Sequence, residues 1–208
     1  MKYIILAVLA LDLVLLGAAS VPMATAADTA ASSTPLRLVR PAPAQADEAI
    51  ERWSELGYGM FLHFGMATFT GRASENDPLN AREPSTLYAP MDLDVDQWMR
   101  VARDAGMKYA VLTAKHSAGH CLWDSKVQFR GREFDYDVAT SGNTTDVVAE
   151  FVKACKKYGI LPGLYWCLQD NRNNSKPPGE HRKPPLPDDF VQLAQDQMTE
   201  LIQRYPDI

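Results

Sequence analysis

The sequence predicts an α/β fold: an incomplete (β/α)8 barrel of which only the N-terminal βα units are present. Three observations carry this. A strand–loop–helix unit recurs at intervals of roughly 50 residues, and repeated βα units make parallel sheets with right-handed crossovers. The long connections all follow strands, whereas Gly106-Met107-Lys108 and Gly159, which lead from helix back to strand, are short; barrels build function on their βα loops. Tyr109 to Ala114 is apolar and does not alternate, as expected of a strand covered on both faces. A full barrel has eight units and typically ~250 residues. Here three units are complete, and the pattern stops before a fourth strand. A doubly wound sheet is the alternative, but no glycine-rich phosphate loop follows any strand.

The first 26 residues read as an export signal, with Lys2 as the charged start, an apolar run to Ala19 and a small-residue site at Ala24-Thr25-Ala26. Secretion or export to a periplasm is the expected localisation. Residues 27–46, rich in Ala, Ser, Thr and Pro, read as a disordered leader. Residues 47–208 then form the barrel part. Asp47 caps a short helix carrying Ile50, Trp53 and Leu56 on one face. Tyr58 to Gly65 is the first strand, and Met66 to Pro90 a long irregular loop. Asp94 caps a helix with Val95, Trp98, Val101, Ala102 and Ala105 inward, stopped by Gly106. After the second strand, Lys115 opens a polar loop running to Ser125. Phe129 to Asn143 is a further polar connection. Thr144 or Thr145 caps a helix bearing Val147, Val148, Phe151, Val152, Ala154, Cys155 and Tyr158. Ile160 to Leu168 is the third strand. Residues 172–187 hold five of the chain's 14 prolines and read as an exposed excursion. Asp188 caps the last helix, with Phe190, Leu193, Ala194, Met198, Leu201 and Ile202 at helical spacing, and Ile208 is placed to begin a fourth strand.

Composition excludes several functions. The formal net charge of −5 gives no basic footprint for nucleic acid or an anionic membrane, and no membrane contact is expected once the signal is cleaved. The three cysteines, Cys121, Cys155 and Cys167, are too few for a disulfide scaffold and read as buried thiols. No cofactor or metal is expected, since no carboxylate–histidine spacing such as HExxH accompanies the histidines.

Ligands of parallel sheets bind at the carboxyl ends of the strands. The residues delivered there are His63, His116, His120, Trp123, Tyr165 and Trp166. Imidazoles hydrogen-bond hydroxyls, and aromatic faces pack on the apolar faces of sugar rings. Core packing is an equal reading for Trp123. Tyr165 and Trp166, being adjacent on a strand, point to opposite faces. A glycosidase needs two carboxylates. Spacing nominates Asp170, with Asp124, Glu75, Asp77 and Glu83 as further candidates.

The chain resembles the α-L-fucosidases of glycoside hydrolase family 29. The stretches that carry the resemblance are YGMFLHFG (58–65), DLDVDQW (92–98), AGMKYAVLTAKH (105–116), GHCLWDSK (119–126), DVVAEFVKACKKYGILPGLYW (146–166) and TELIQRYPDI (199–208). The resemblance implies a secreted, retaining exo-glycosidase with a (β/α)8 barrel, acting on terminal fucose of glycans. It implies that His63 and His116 hydrogen-bond the sugar and that Tyr165 is a site tyrosine. His120 and Trp166 complete the expected substrate-binding set. Where the family has two adjacent histidines followed by Asp-Gly-Phe, this chain has His116-Ser117-Ala118-Gly119-His120, the mark of a divergent subgroup. A Glu-Trp pair of the first long loop is replaced by Glu75-Asn76. The nucleophilic aspartate is expected just beyond Ile208 and the acid/base glutamate further on, so no catalytic carboxylate is assigned within this chain and Asp170 is demoted. The expected partners are a fucosylated glycan or related glycoside, and the remainder of the barrel or an oligomeric partner. Two other readings stand beside this one: a non-catalytic carbohydrate-binding half-barrel, and a metal-dependent barrel hydrolase using the three histidines.

Overall fold

The structure, a computed structural model, describes residues 43–174 and 186–208, with the side chains of 43–46 excepted. The predicted signal peptide, the leader up to residue 42, and most of the proline excursion with His181 lie outside the described residues.

Helix α1 (Pro43–Leu56) begins four residues before the predicted Asp47 cap, inside the segment read as leader. Its apolar residues Ile50 and Trp53 remain exposed, with Trp53 touching only the edge of Tyr109's ring at 6.0 Å between centroids. Strand β1 (Gly59–Leu62) is shorter than the predicted strand. The loop after it is not structureless: α2 (Met66–Thr70) and two 3-10 turns, at Pro78–Arg82 and Ser85–Leu87, organise it. Asp77 caps the first of these turns through the Leu79 amide, and Asn80, fully buried, ties Thr70 to the backbone of Ser74.

Helix α3 (Val95–Asp104) starts on Asp94, whose side chain accepts from the Gln97 amide at 2.8 Å. Its buried positions are Val95, Met99 and Ala102. Val101 and Ala105, predicted inward, are exposed; the true seam runs through Met99, which meets Cys155 with sulfurs 3.3 Å apart. Strand β2 (Tyr109–Lys115) follows. Lys115 is its last residue and not the first of the loop. A two-stranded hairpin, β3 (Gln128–Phe129) and β4 (Arg132–Glu133), interrupts the next connection. Its turn places Arg130 at φ 52° and Gly131 at φ 81°. Glycine tolerates that region. For arginine the left-handed conformation costs roughly 1–2 kcal/mol.

Helix α4 (Val147–Tyr158) is capped by Asp146, whose carboxylate accepts from the Ala149 amide at 2.8 Å. Thr144 and Thr145, predicted for that role, precede it: Asn143 turns the chain there by accepting from the Thr145 amide. Strand β5 (Leu161–Trp166) and helix α5 (Asp188–Arg204) complete the fold. The α5 cap position is Pro187, so Asp188 is the first helical residue. Asp188 and Asp189 still suit the positive end of the helix dipole. Ile208 lies in a turn after α5.

Three parallel strands pair in the order β1-β2-β5, with Phe61 beside Val111 and Val111 beside Gly163. One face is covered by helices: Ala110, Leu112, Ala114, Leu164 and Trp166 are buried with Met99, Phe151, Val152, Phe190 and Leu193. The other face is partly open, with Phe61 51% exposed and Val111 and Tyr165 half-buried. Burial therefore alternates over the first half of β2, where the sequence predicted cover on both sides. Cys121, Cys155 and Cys167 are free and buried.

Candidate functional site

Along β1 the side chains of Phe61 and His63 share a face, because strand residues two apart point the same way. Tyr165 shares it on β5, opposite Thr113. The β2–β5 register slips between Thr113 and Lys115, so that Lys115 pairs with Trp166. A slip of one residue swaps faces. It sends Lys115 to the helix side and returns His116 to the side of Tyr165. Four rings thereby meet at the carboxyl ends of three parallel strands. Ring centroids lie 4.6 Å apart for Phe61–His63, 5.3 Å for His63–His116, 5.6 Å for His116–Tyr165 and 5.6 Å for Phe61–Tyr165.

The protonation state of this cluster follows from its bonds. The Ser117 amide donates to His116 Nδ1 at 2.8 Å, and the Ser117 hydroxyl is spent on the Glu75 carbonyl at 2.7 Å. Nδ1 is therefore the acceptor, and the ring hydrogen sits on Nε2. Burial, then the neighbouring His63 and Lys115, push the His116 pKa down to about 4. Burial also lowers that of His63. Both rings are neutral near pH 7. Burial and the neighbouring Cys167 thiol raise the Tyr165 pKa, keeping it a phenol. The site thus presents neutral donors and acceptors beside an aromatic wall, which suits uncharged hydroxyls rather than an anion.

Behind it sits a lock absent from the sequence reading. Lys115 is fully buried; its ammonium lies 3.0 Å from Asp170 Oδ2 and 4.0 Å from the Trp166 ring centre, and donates to the Cys167 carbonyl at 2.8 Å. Asp170 Oδ1 accepts from the amides of Arg172 and Asn173 at 2.9 and 2.7 Å. The Asn171 amide donates to the Ser117 carbonyl at 2.8 Å. The His116 loop and the turn after β5 are therefore fastened to one ion pair. Asp170, the carboxylate that spacing nominated, is consumed in that lock.

Glu75 is the carboxyl group set against the His116 loop. Burial raises its pKa, opposed by the amides of Ala67 and Gly65. One of its oxygens, Oε2, is buried without a partner among the described residues. Gly65 permits this approach, since a Cβ there would fall 2.9 Å from that oxygen.

Two of the five expected substrate residues are elsewhere. Trp166 faces α5, and its indole donates to Gln197 at 3.1 Å. His120 is 3% exposed, stacked on Tyr88 at 4.8 Å. The Ser141 hydroxyl donates to the Asp137 carbonyl at 2.7 Å, so His120 must donate its Nε2 hydrogen to Ser141 across 2.8 Å. Its bare Nδ1 is buried with no partner among the described residues. Trp123 is likewise core: its indole, with Ser125 and the Lys126 amide, is bound by the Glu200 carboxylate. Phe61 was missed, although its i, i+2 spacing to His63 on a strand was a readable signal. Among the described residues no group of three or more His, Cys, Asp or Glu side chains is arranged to hold a metal ion. The metal-dependent reading thus finds no ligand set there.

Comparison with known proteins adds a separate line. A family model described as Alpha-L-fucosidase matches residues 26–208. Alpha-L-fucosidase 1 of Arabidopsis thaliana is 33% identical over 160 residues, covering 76% of this chain and 28% of the relative. A solved alpha-L-fucosidase from Bacteroides thetaiotaomicron is 26% identical with a TM-score of 0.62, covering 81% of this chain and 40% of that one. A trapped covalent intermediate of an alpha-L-fucosidase from the same organism, in complex with 2-fluoro-fucosyl fluoride, is 25% identical with a TM-score of 0.61, covering 78% and 40%. The chain spans under a third of the Arabidopsis relative's length.

Proposed function

The chain belongs to the α-L-fucosidase family, and on that ground we propose that it is exported and forms the sugar-binding floor of a retaining glycosidase for terminal fucose, built on the first βα units of a (β/α)8 barrel. The observation that carries the proposal is the cluster of His63, His116 and Tyr165 at the strand ends. Neutral imidazoles there hydrogen-bond the sugar hydroxyls, and the rings of Phe61 and Tyr165 line its apolar face. In a retaining mechanism one carboxylate attacks the anomeric carbon while a second protonates the leaving oxygen and then activates water. Asp170 is unsuited to either role, because its oxygens are committed to Lys115 and two backbone amides. The catalytic aspartate and glutamate are assigned to strands following Ile208, contributed by the rest of the barrel or by a partner.

The experiment measures L-fucose binding and aryl α-L-fucoside hydrolysis by the 208-residue chain. Saturable binding without turnover is expected. His116→Ala should weaken binding about three- to tenfold, the worth of a neutral hydrogen bond of roughly 0.5–1.5 kcal/mol. Turnover that disappears in Asp170→Asn would overturn the assignment. A second reading, a lectin-like domain that never hydrolyses, draws on the same locked Asp170. It is separated by adding the missing strands: activity gained then favours the enzyme.

A further inference from the structure

Outside the histidine site, the β3–β4 hairpin and the turn after β5 enclose a cleft of about 300 Å3 whose lining includes Phe129, Arg130, Arg132, Glu133, Asp135 and Arg172. It opens at the same end of the sheet as the histidines. The amides of Arg172 and Asn173 hang on Asp170, which is locked to the last residue of β2. The same turn is bonded to the His116 loop through Ser117.

Its chemistry is specific in two ways. The three guanidiniums face three carboxylates: Glu133, Asp135 and Asp189, the last paired with Arg130 at 2.8 Å. Charge is balanced, so the cleft does not select a phosphate or sulfate. Planar donors and acceptors alternating beside phenylalanine rings instead match vicinal hydroxyls on a ring with an apolar face. The Arg130–Asp189 and Arg132–Asp135 pairs are largely solvent-exposed. Such pairs are weak and exchange readily for ligand hydroxyls. The second feature is Arg130. It occupies a left-handed turn position that glycine would fill without strain, and there it stacks on Phe129 at 4.5 Å and donates to the Asn173 carbonyl.

We infer that this cleft is a subsite for a neutral hexopyranose unit, the part of the glycan adjoining the terminal sugar. The inference rests on the histidine cluster holding that terminal sugar. The test is an NMR titration of the 208-residue chain with lactose as probe, run beside L-fucose and glucuronate. Lactose should saturate shifts at Phe129. Arg130→Gly, which suits the turn and preserves the fold, should weaken lactose binding about tenfold and leave L-fucose affinity unchanged. Lactose binding that ignores both Arg130→Gly and Phe129→Ala overturns the subsite, as does the absence of lactose binding while L-fucose still binds. Glucuronate binding more tightly than lactose overturns its neutral character. Lactose bound at the cleft with no L-fucose binding removes the histidine-cluster reading and leaves the cleft as a sugar site.

Discussion

At the scale of single residues, burial decides which histidine works and which supports. His120 is held neutral, its pKa lowered by burial to about 3, against about 6.5 in an unfolded chain. Between those values the unfolded state binds a proton that the folded state refuses. Stability present above pH 6.5 is therefore lost as pH falls toward 3. Near pH 4.5 this one group costs on the order of 2–3 kcal/mol. Asp137 works the other way, because burial raises its pKa to about 6 and acid favours its folded form. His120→Phe should therefore narrow the drop in melting temperature between pH 7 and pH 4.5; an unchanged drop would contradict the burial argument. Asp170→Asn should destabilise by roughly 3–5 kcal/mol in urea melts, since it leaves Lys115 charged and unpaired. A paired Lys115→Met, Asp170→Leu change should recover much of that loss. The sequence made His63, His116 and Tyr165 legible, because each ends a strand that its own composition announces. The division between them and His120 was not legible, since it depends on Tyr88 and Ser141, which pack around that ring from distant loops. The Lys115–Asp170 lock was equally hidden: nothing in either residue's neighbours signals a partner 55 positions away.

At the scale of elements, the same capping chemistry carries unequal weight. Asp94 caps α3 at an exposed site. Asp146 caps α4 and also binds Arg204 at 3.1 Å and the buried Tyr205 hydroxyl at 2.7 Å, fastening the end of α5. Asp94→Ala should cost about 1 kcal/mol, a typical cap. Asp146→Ala should cost about 1–3 kcal/mol more, the penalty of an orphaned buried hydroxyl. Equal losses in urea melts would show that Asp146 is only a cap. Helix stops were read well, because Gly57, Gly106 and Gly159 all adopt positive φ. Helix starts were read less well. Thr145 and Asp146 are both good caps by type, and the choice between them was made by Arg204 and Tyr205 from α5. The hairpin was missed, since two-residue strands are too short to show a period, and the short turns of the first loop were missed because Asn80 organises them from the inside.

At the scale of the whole molecule, one surface stays apolar. Ile50, Trp53, Tyr58, Phe61 and Leu161 are all about half exposed or more, and they follow α1 and the outer strands of a parallel sheet whose barrel edges are open among the described residues. Burying side chains of this size is worth ~1.5–3 kcal/mol each, so together they match the ~5–15 kcal/mol that holds a typical domain folded. Size-exclusion chromatography without residues 1–26 should therefore show association or aggregation, and a monodisperse monomer with a cooperative melt would favour a self-sufficient binding domain. Fold class was legible because strand, long loop and helix recur in order. What covers the inner face lay beyond any local pattern. The central claim is that the sugar sits on His63, His116 and Tyr165, with His120 serving the core. The most direct measurement follows the histidine ring resonances of the 208-residue chain during titration with L-fucose. Saturable shifts at His63 and His116 with His120 unmoved are predicted. Shifts at His120 with none at His116 would contradict the account.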